Sequence, residues 1–261
     1  MSVRKPAVAG LFYPDDAASL REAVTGFLAA AGPGEGAPPK ALIVPHAGYV
    51  YSAPVAATAY ARLAGAAAAI SRVILLGPAH RLPFRGLALP GVDAFETPLG
   101  TVPLDRDAVA SIERLDQVIA LPAAHEGEHS LEVHLPFLQT LLQSFTLVPL
   151  VVGDAAGSAV AEVLETLWGG PETLIVISSD LSHYHDYATA RAMDAATSAA
   201  IEALAPERIG YEDACGRVPV SGLLEVAGRR GLQARTVDLR NSGDTAGPKD
   251  RVVGYGAYVV A

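Results

Sequence analysis

Cysteine is almost absent from this sequence of 261 residues, in which Cys215 is the only one. A single cysteine cannot form a disulfide within the chain, which excludes a disulfide-stabilised scaffold and is typical of a reducing compartment. Basic residues never form a run, and the formal net charge is -9 at pH 7. A negatively charged protein without a basic segment is a poor binder of nucleic acid or of an anionic membrane surface, so neither is predicted as a partner.

Long uninterrupted apolar segments are also missing. The apolar run after Arg4 and Lys5 is broken by prolines and glycine, so it lacks the pattern of a signal peptide. Residues 41–61 are rich in apolar side chains, but Pro45 and Pro54 make them a poor membrane-spanning helix. We therefore expect a cytoplasmic protein that makes no contact with a membrane.

Apolar segments of strand length alternate with helical patterns along most of the chain. The segments at residues 41–44, 72–77 and 173–179 lack polar–apolar alternation, as expected for parallel strands covered on both faces. Their alternation with helices predicts an α/β fold with a mainly parallel central sheet and helices on both faces. Because no internal repeat or separate core is evident, residues 1–261 are predicted to form one domain.

The helix boundaries are predicted from capping residues and prolines. Pro54 is expected to begin a helix that runs to about Leu63, and Ser130 is expected to cap a helix in the segment up to residue 142. A further helix is predicted to begin near Ser221. Residues 84–103 are short, punctuated segments that favour edge strands or a hairpin beside the main sheet.

Three of the predicted strands are followed at once by a turn that contains a histidine: His46, His80 and His183. Open α/β sheets bind ligands beyond the carboxyl ends of their strands, and neighbouring strands lie ~5 Å apart. Imidazoles that converge there can bind a transition metal, and a carboxylate or thiolate would complete a site with open positions. The alternative is that these histidines are polar loop residues without a ligand.

Asp180 precedes His183 by three residues. A carboxylate at this spacing could orient the imidazole and raise its basicity, as a general base requires. Alternatively, Asp180 only caps the following turn. Neighbouring serines also raise the possibility of a serine hydrolase, but the chain contains no G-x-S-x-G motif, so this interpretation is less favoured.

The role of Cys215 is left open by the residues around it, because a free cysteine is either a small buried apolar residue or a thiolate ligand for iron, copper or zinc. His129 and Glu132 have helical spacing, but Gly127 interrupts the segment that precedes them. We therefore expect His129 and Glu132 to lie behind the site or to be structural.

Several stretches together resemble the Memo family, including its bacterial and archaeal members called AmmeMemoRadiSam system protein B. They occur in order almost from end to end: VRKPAVAGLFYP, VPHAGYVYS, LLGPAH, ETPLGTVPLD, EHSLEVHLPFLQ, ISSDLSH, ACGRVPV and VVGYGAYVV. The fold of this family is similar to that of class III extradiol dioxygenases, which are non-haem iron enzymes that open catechol rings. The resemblance implies the same fold for this chain.

Carried onto this sequence, the resemblance implies that the metal ligands are His46, His80 and Cys215. Asp180 and His183 would complete the pocket, with His183 as the catalytic base, and the remaining implied cleft residue is Tyr51. The dioxygenases use a carboxylate where Cys215 stands here. The resemblance to non-haem iron enzymes makes Fe(II) the expected cofactor. Copper and zinc are alternatives, because a ligand set that contains a thiolate also accepts them.

These features favour a metal-dependent redox enzyme that acts on a small substrate, with His183 moving a proton. The alternative is a non-catalytic module whose cleft recognises a peptide or an anion, because fold similarity locates a site better than it identifies a reaction. A hydrolase that uses the same metal is the third possibility.

Overall fold

The structure is a computed structural model that describes residues 2–34 and 36–261. Its strands are β1 Val3–Arg4, β2 Ala41–Val44, β3 Arg72–Pro78, β4 Leu87–Leu89, β5 Ala94–Thr97, β6 Gly100–Pro103, β7 Val118–Ala120, β8 Thr146–Val152, β9 Thr173–Ser178, β10 His183–His185, β11 Ala234–Asn241 and β12 Val252–Val260. Its α-helices are α1 Ala17–Ala31, α2 Tyr49–Tyr60, α3 Arg106–Ile112, α4 Leu135–Leu141, α5 Gly157–Leu167, α6 Tyr187–Glu202, α7 Arg217–Arg230 and α8 Ser242–Thr245.

The large sheet is parallel at its centre and antiparallel towards its edges. Its strand order is β10-β12-β2-β9-β3-β8-β4-β7, and β11 pairs with β12. Strands β2, β9, β3 and β8 are parallel, whereas β12 and β4 run antiparallel to their central neighbours. A separate sheet of order β1-β5-β6 contains the hairpin predicted within residues 84–103. The predicted α/β fold is confirmed, and the complete sheet is mixed, with parallel strands at its centre.

Strand β2 shows why the central strands are apolar at every position. Leu42 and Val44 pack into a core that also contains buried residues of α1, α2 and α4. Ala41 and Ile43 point to the other face, into a core shared with α3, α5, α6 and α7. Both faces of the sheet are therefore covered by helices, as the absence of alternation predicted.

Two predicted helix starts are too late. Helix α2 begins at Tyr49 rather than at Pro54, because the carbonyl of Gly48 already accepts hydrogen bonds from Tyr51 and Ser52. Helix α7 begins at Arg217, four residues before the predicted start at Ser221. In both cases the helix begins directly after a loop that reaches the end of a central strand.

The prediction that Ser130 caps a helix is also wrong. The Ser130 hydroxyl donates to the carbonyl of Pro78 at 2.9 Å, which ties the segment to the end of β3. A short 3-10 turn, Glu132–His134, follows and leads into α4. Within the described residues, no helix has the length and apolar character needed to cross a membrane.

Buried Glu132 fastens the N-terminal segment to the rest of the molecule. Its Oε1 accepts hydrogen bonds from the Val8 amide at 3.0 Å and from the Tyr13 hydroxyl at 2.6 Å. Its Oε2 accepts from the Ala7 amide and the Arg4 guanidinium, both at 2.7 Å. Because these four donors satisfy both oxygens and the side chain is fully buried, Glu132 has a structural role.

Replacing Glu132 with alanine is expected to lower the free energy of unfolding by about 3–5 kcal/mol, because it leaves the Arg4 charge and two amides unpaired in the interior. The measurement is urea denaturation followed by circular dichroism. Glu165→Ala is the matched control, since Glu165 pairs with Arg229 and Arg230 near the surface. This control is expected to cost at most about 1 kcal/mol. Equal losses in the two variants would contradict the structural role of Glu132.

Candidate metal centre

Three neighbouring strands bring the predicted site residues to one rim of the sheet. The parallel strands β2, β9 and β3 are adjacent and end at the same edge. His46 follows β2, Asp180 follows β9, and His80 follows β3. The turn before α7 approaches the same edge and supplies Cys215, whose amide donates to the carbonyl of Asp180 at 3.3 Å.

The structure brings together a donor atom from each of the three predicted metal ligands. One ring nitrogen of His46, one of His80 and the sulfur of Cys215 all lie within 4.8 Å of one another. The distance from Cys215 Sγ to His46 Nε2 is 3.4 Å. Bonds of about 2.0–2.3 Å to a tetrahedral ion would place its donor atoms about 3.3–3.8 Å apart. The spacing therefore fits a single ion after a small contraction.

Hydrogen bonds assign the tautomer of His46. The Ser178 hydroxyl donates to the carbonyl of Ser130 at 2.6 Å, so its oxygen is left to accept a hydrogen bond from His46 Nδ1, also at 2.6 Å. Burial lowers the pKa of His46 well below its usual value, which makes the ring neutral. With Nδ1 protonated, the lone pair of His46 is on Nε2, the nitrogen that faces Cys215.

Glu128 orients His80 and is a residue that the sequence analysis missed. Its carboxylate accepts hydrogen bonds from the amide and Nδ1 of His80, at 2.6 and 2.9 Å, and from the amides of His129 and Ser130, both at 2.9 Å. Burial opposes ionisation, but the bonds from His80 hold the pKa of Glu128 at about 2. Because Nδ1 of His80 is occupied, Nε2 is the nitrogen available to a ligand.

His129 lies beside His46 and His80 rather than behind the site, in contrast to the expectation from the sequence. Its ring stacks on that of His80, with centroids 4.7 Å apart, and its centroid is 5.4 Å from that of His46. Nδ1 of His129 is buried without a hydrogen-bond partner among the described residues. Burial lowers the pKa of His129 to about 4. Three imidazoles therefore surround one space.

A second group of donors, made of His80, Glu128 and His129, is also close enough to hold an ion. However, both oxygens of Glu128 already accept hydrogen bonds from the protein. Binding an ion there would break the contact that fixes the ring of His80. The group that contains Cys215 is therefore the better candidate centre.

Asp180 does not orient His183 as the sequence spacing indicated. Its Oδ1 accepts a hydrogen bond from the His46 amide at 2.8 Å, and its Oδ2 lies 4.0 Å from His46 Nε2. No hydrogen bond joins Asp180 to His183 in residues 2–34 and 36–261. Burial raises the pKa of Asp180 to about 6, although the bond from His46 works against this rise. Asp180 thus positions His46 and adds negative charge near the donors.

His183 is carried away from Asp180 by the backbone between them. Leu181 donates to the carbonyl of Gly254, and Gly254 donates back to the carbonyl of Ser182. These two bonds lead the chain onto β10, where His183 pairs with Val253 of β12. His183 remains at the same rim, because its side chain lines the cavity described next.

Two cavities meet at the candidate centre. The first, called the cleft, has a volume of about 630 Å³. Its lining contains imidazoles, aromatic rings, two arginines and one aspartate: Phe12, His46, Tyr51, His80, Arg81, His129, Asp180, His183, Tyr184, Arg251 and Tyr255. The second cavity, of about 580 Å³, contains Cys215, Phe84, Tyr211 and Arg217 in its lining. His80 and His183 line both cavities. The predicted cleft residue Tyr51 lies in the first one.

Cys215 is held close to the end of β9 by the glycine that follows it. A Cβ atom on Gly216 would lie 2.4 Å from the carbonyl oxygen of Ser178 and 2.6 Å from Cβ of Ser179. The Cys215 sulfur accepts a hydrogen bond from the Asp180 amide at 3.3 Å. Burial raises the pKa of the Cys215 thiol, and the charge of Asp180 adds to this rise. A bound cation would reverse this effect, because metal coordination deprotonates thiols.

A family model described as Memo-like protein matches residues 4–259. The chain is 37% identical to a MEMO1 family protein of Aquifex aeolicus, with 98% of each chain covered. It is 36% identical to one of Ignicoccus hospitalis, again over 98% of each chain, and 34% identical to one of Aeropyrum pernix over 100% of each. The similarity therefore includes every segment that contributes to the cleft.

Replacing Gly216 with alanine is expected to push Cys215 away from the imidazoles and to destabilise the fold by about 1–3 kcal/mol, because the added methyl group has no space. Gly228→Ala, within helix α7, is the control, since no described atom outside the helix's own backbone lies within 4 Å of the added Cβ there. It is expected to stabilise the protein by about 0.5–1 kcal/mol. Urea denaturation measures both effects, and equal stabilities would contradict the described contact.

Proposed function

The chain belongs to the Memo-like protein family, as its motifs predicted, and we propose that it is a metal-dependent redox enzyme. Its metal ligands would be His46, His80 and Cys215. The observation that carries the proposal is the meeting of their donor atoms within 4.8 Å. These residues come from three segments that are far apart in the sequence, and both imidazoles have their Nδ1 atoms occupied by other partners.

The proposed cofactor is Fe(II), with copper or zinc as alternatives. Two neutral imidazoles and a thiolate suit all three metals, and three protein ligands leave coordination positions open. The similarity of the family's fold to non-haem iron dioxygenases favours iron. Iron or copper held here would supply redox chemistry next to a cavity large enough for a small substrate.

The residues around the centre have distinct tasks in this proposal. His183 lines the cleft without a hydrogen bond to a carboxylate in the described part of the chain, so it is free to take a proton from a substrate or return it. Asp180 fixes the backbone of His46 through a buried hydrogen bond. Tyr51 is 38% exposed on the first turn of α2 and forms part of the wall against which a substrate would lie.

The first test of the ligand set is metal content. The wild-type protein is loaded anaerobically with Fe(II), dialysed, and analysed for iron, copper and zinc by mass spectrometry. The expected result is about one metal per chain in the wild type and at least about tenfold less in His46→Ala and Cys215→Ser, because each change removes a direct ligand. His185→Ala is the control, since His185 is two residues from His183 but does not line the cleft.

Equal metal contents in the wild type, His46→Ala and Cys215→Ser would contradict the ligand assignment. The redox part of the proposal is tested separately, by measuring dioxygen consumption of the loaded protein with reductants and catechols. If the metal binds but no dioxygen is consumed, the non-catalytic binding module becomes the better description of the cleft.

The second test concerns Glu128. Replacing it with glutamine removes the negative charge and turns one acceptor into a donor that faces either the amide of His80 or the amides of His129 and Ser130. The expected result is a metal affinity about 10–100-fold weaker than that of the wild type, because His80 loses its fixed orientation. Affinity is measured by competition with a chelator.

Glu126→Gln is the matched control for this measurement. Glu126 is exposed and lies only two residues before Glu128. The same chemical change is expected to leave the metal affinity of this control unaltered. If Glu126→Gln and Glu128→Gln weaken binding by the same factor, the loss reflects net charge rather than the orientation of His80.

A further inference from the structure

The cleft carries positive charge in a protein whose net charge is -9. Arg81 and Arg251 line it, and both side chains belong to exposed residues. Among the residues that the structure describes, Asp180 is the only carboxylate in the lining; it is 5% exposed and already accepts a hydrogen bond from the His46 amide. An anion that approaches the cleft therefore meets two guanidinium groups before it meets a negative charge.

Arg251 is positioned by an aromatic ring rather than by an acid. Its guanidinium carbon lies 4.5 Å from the centroid of the Tyr184 ring. A guanidinium held over an aromatic ring does not use its N–H groups for an acid and can still donate them to another acceptor. Within residues 2–34 and 36–261, neither Arg251 nor Arg81 forms an ion pair or hydrogen bond with a protein acceptor. These donors are available to a ligand.

The backbone of Tyr184 is held in an unusual conformation that keeps this ring at the cleft. Tyr184 has a φ of 63°, which is uncommon for a residue other than glycine. It lies at an irregularity in the register between β10 and β12, between His183 and His185. Bulges of this kind redirect a side chain, and strained backbone of this kind often occurs at ligand sites. Tyr184 is 62% exposed although it lines the cleft.

Aromatic rings form much of the remaining wall. Phe12, Tyr51 and Tyr255 line the same cavity of about 630 Å³ as Arg251 and Tyr184. Flat apolar surfaces of this kind suit a planar group, and the volume is in the range of small-molecule sites. The imidazoles of His46, His80 and His129 lie in the same lining.

We propose that the substrate of this cleft is a small organic anion with a planar body. Its oxyanion, a carboxylate or a phosphate-like group, binds the free N–H groups of Arg251, and Arg81 adds positive charge on the same cavity. Its planar body lies against the tyrosine rings, and its other end faces His46 and His80. The identity of the reacting end rests on the proposed function, whereas binding of the anion requires no metal.

The test is a titration of the metal-free protein with benzoate, phenylphosphonate and neutral benzamide, followed by calorimetry or NMR. Benzoate or phenylphosphonate is expected to bind more tightly than benzamide, and the tighter of the two identifies the oxyanion. Arg251→Ala is expected to weaken binding of that oxyanion about tenfold or more and to leave benzamide unchanged, because a hydrogen bond to a charged group is lost. Arg81→Ala is expected to weaken it by a smaller factor.

Arg191→Ala is the matched control. Arg191 also lies over a tyrosine ring, at 5.8 Å from the centroid of Tyr187, but it does not line the cleft. The proposal is overturned if benzamide binds as tightly as both oxyanions, if Arg251→Ala leaves oxyanion binding unaltered, or if Arg191→Ala weakens it equally. The proposal is also overturned if neither benzoate nor phenylphosphonate binds up to its solubility limit.

The outcome is separable from that of the metal experiment. A protein that binds benzoate through Arg251 but retains no metal supports the anion site and contradicts the metal ligands. If the protein holds one metal per chain but benzoate binds equally well to the wild type and to Arg251→Ala, the metal ligands are supported and the anion site is overturned.

Discussion

The whole site depends on the parallel hydrogen bonding of three neighbouring strands. Strand β9 lies between β2 and β3, and their pairing brings Val44 beside Ser178 and Leu76 beside Ile177. Every group that follows these strands must therefore leave the sheet at one edge. Two cross-strand contacts then define the edge: the amide of His46 donates to Asp180, and the ring of His46 donates to Ser178.

The loop between β7 and α4 connects this edge to the N-terminal segment. It contains two buried carboxylates with opposite tasks. Glu128 accepts hydrogen bonds from residues of the site, two of them from His80, whereas Glu132 accepts them from the N-terminal segment, one of them from Arg4. Arg4 also donates to the carbonyls of His125 and Glu128. The ring of His80 is thus held by a loop that is itself fixed by a charged residue near the start of the chain.

The sequence was informative where local pattern determines structure. Unbroken apolar segments predicted the central strands, and the histidines that follow β2 and β3 were correctly expected to approach one rim. Glu128 could not be predicted, because nothing local distinguishes it from exposed Glu126. The place of Cys215 depends on where the turn before α7 packs, which only the resemblance to a family indicated. The hydrogen bond from the His46 amide to Asp180 could not be predicted, because sequence spacing does not reveal a contact made across strands.

His80 and His183 belong to the lining of both cavities. The first cavity also contains the imidazole of His46 and the tyrosine-lined wall, whereas the second contains Cys215. The candidate centre therefore borders two separate cavities. A ligand bound in one of them leaves the approach to the donor atoms from the other one unfilled.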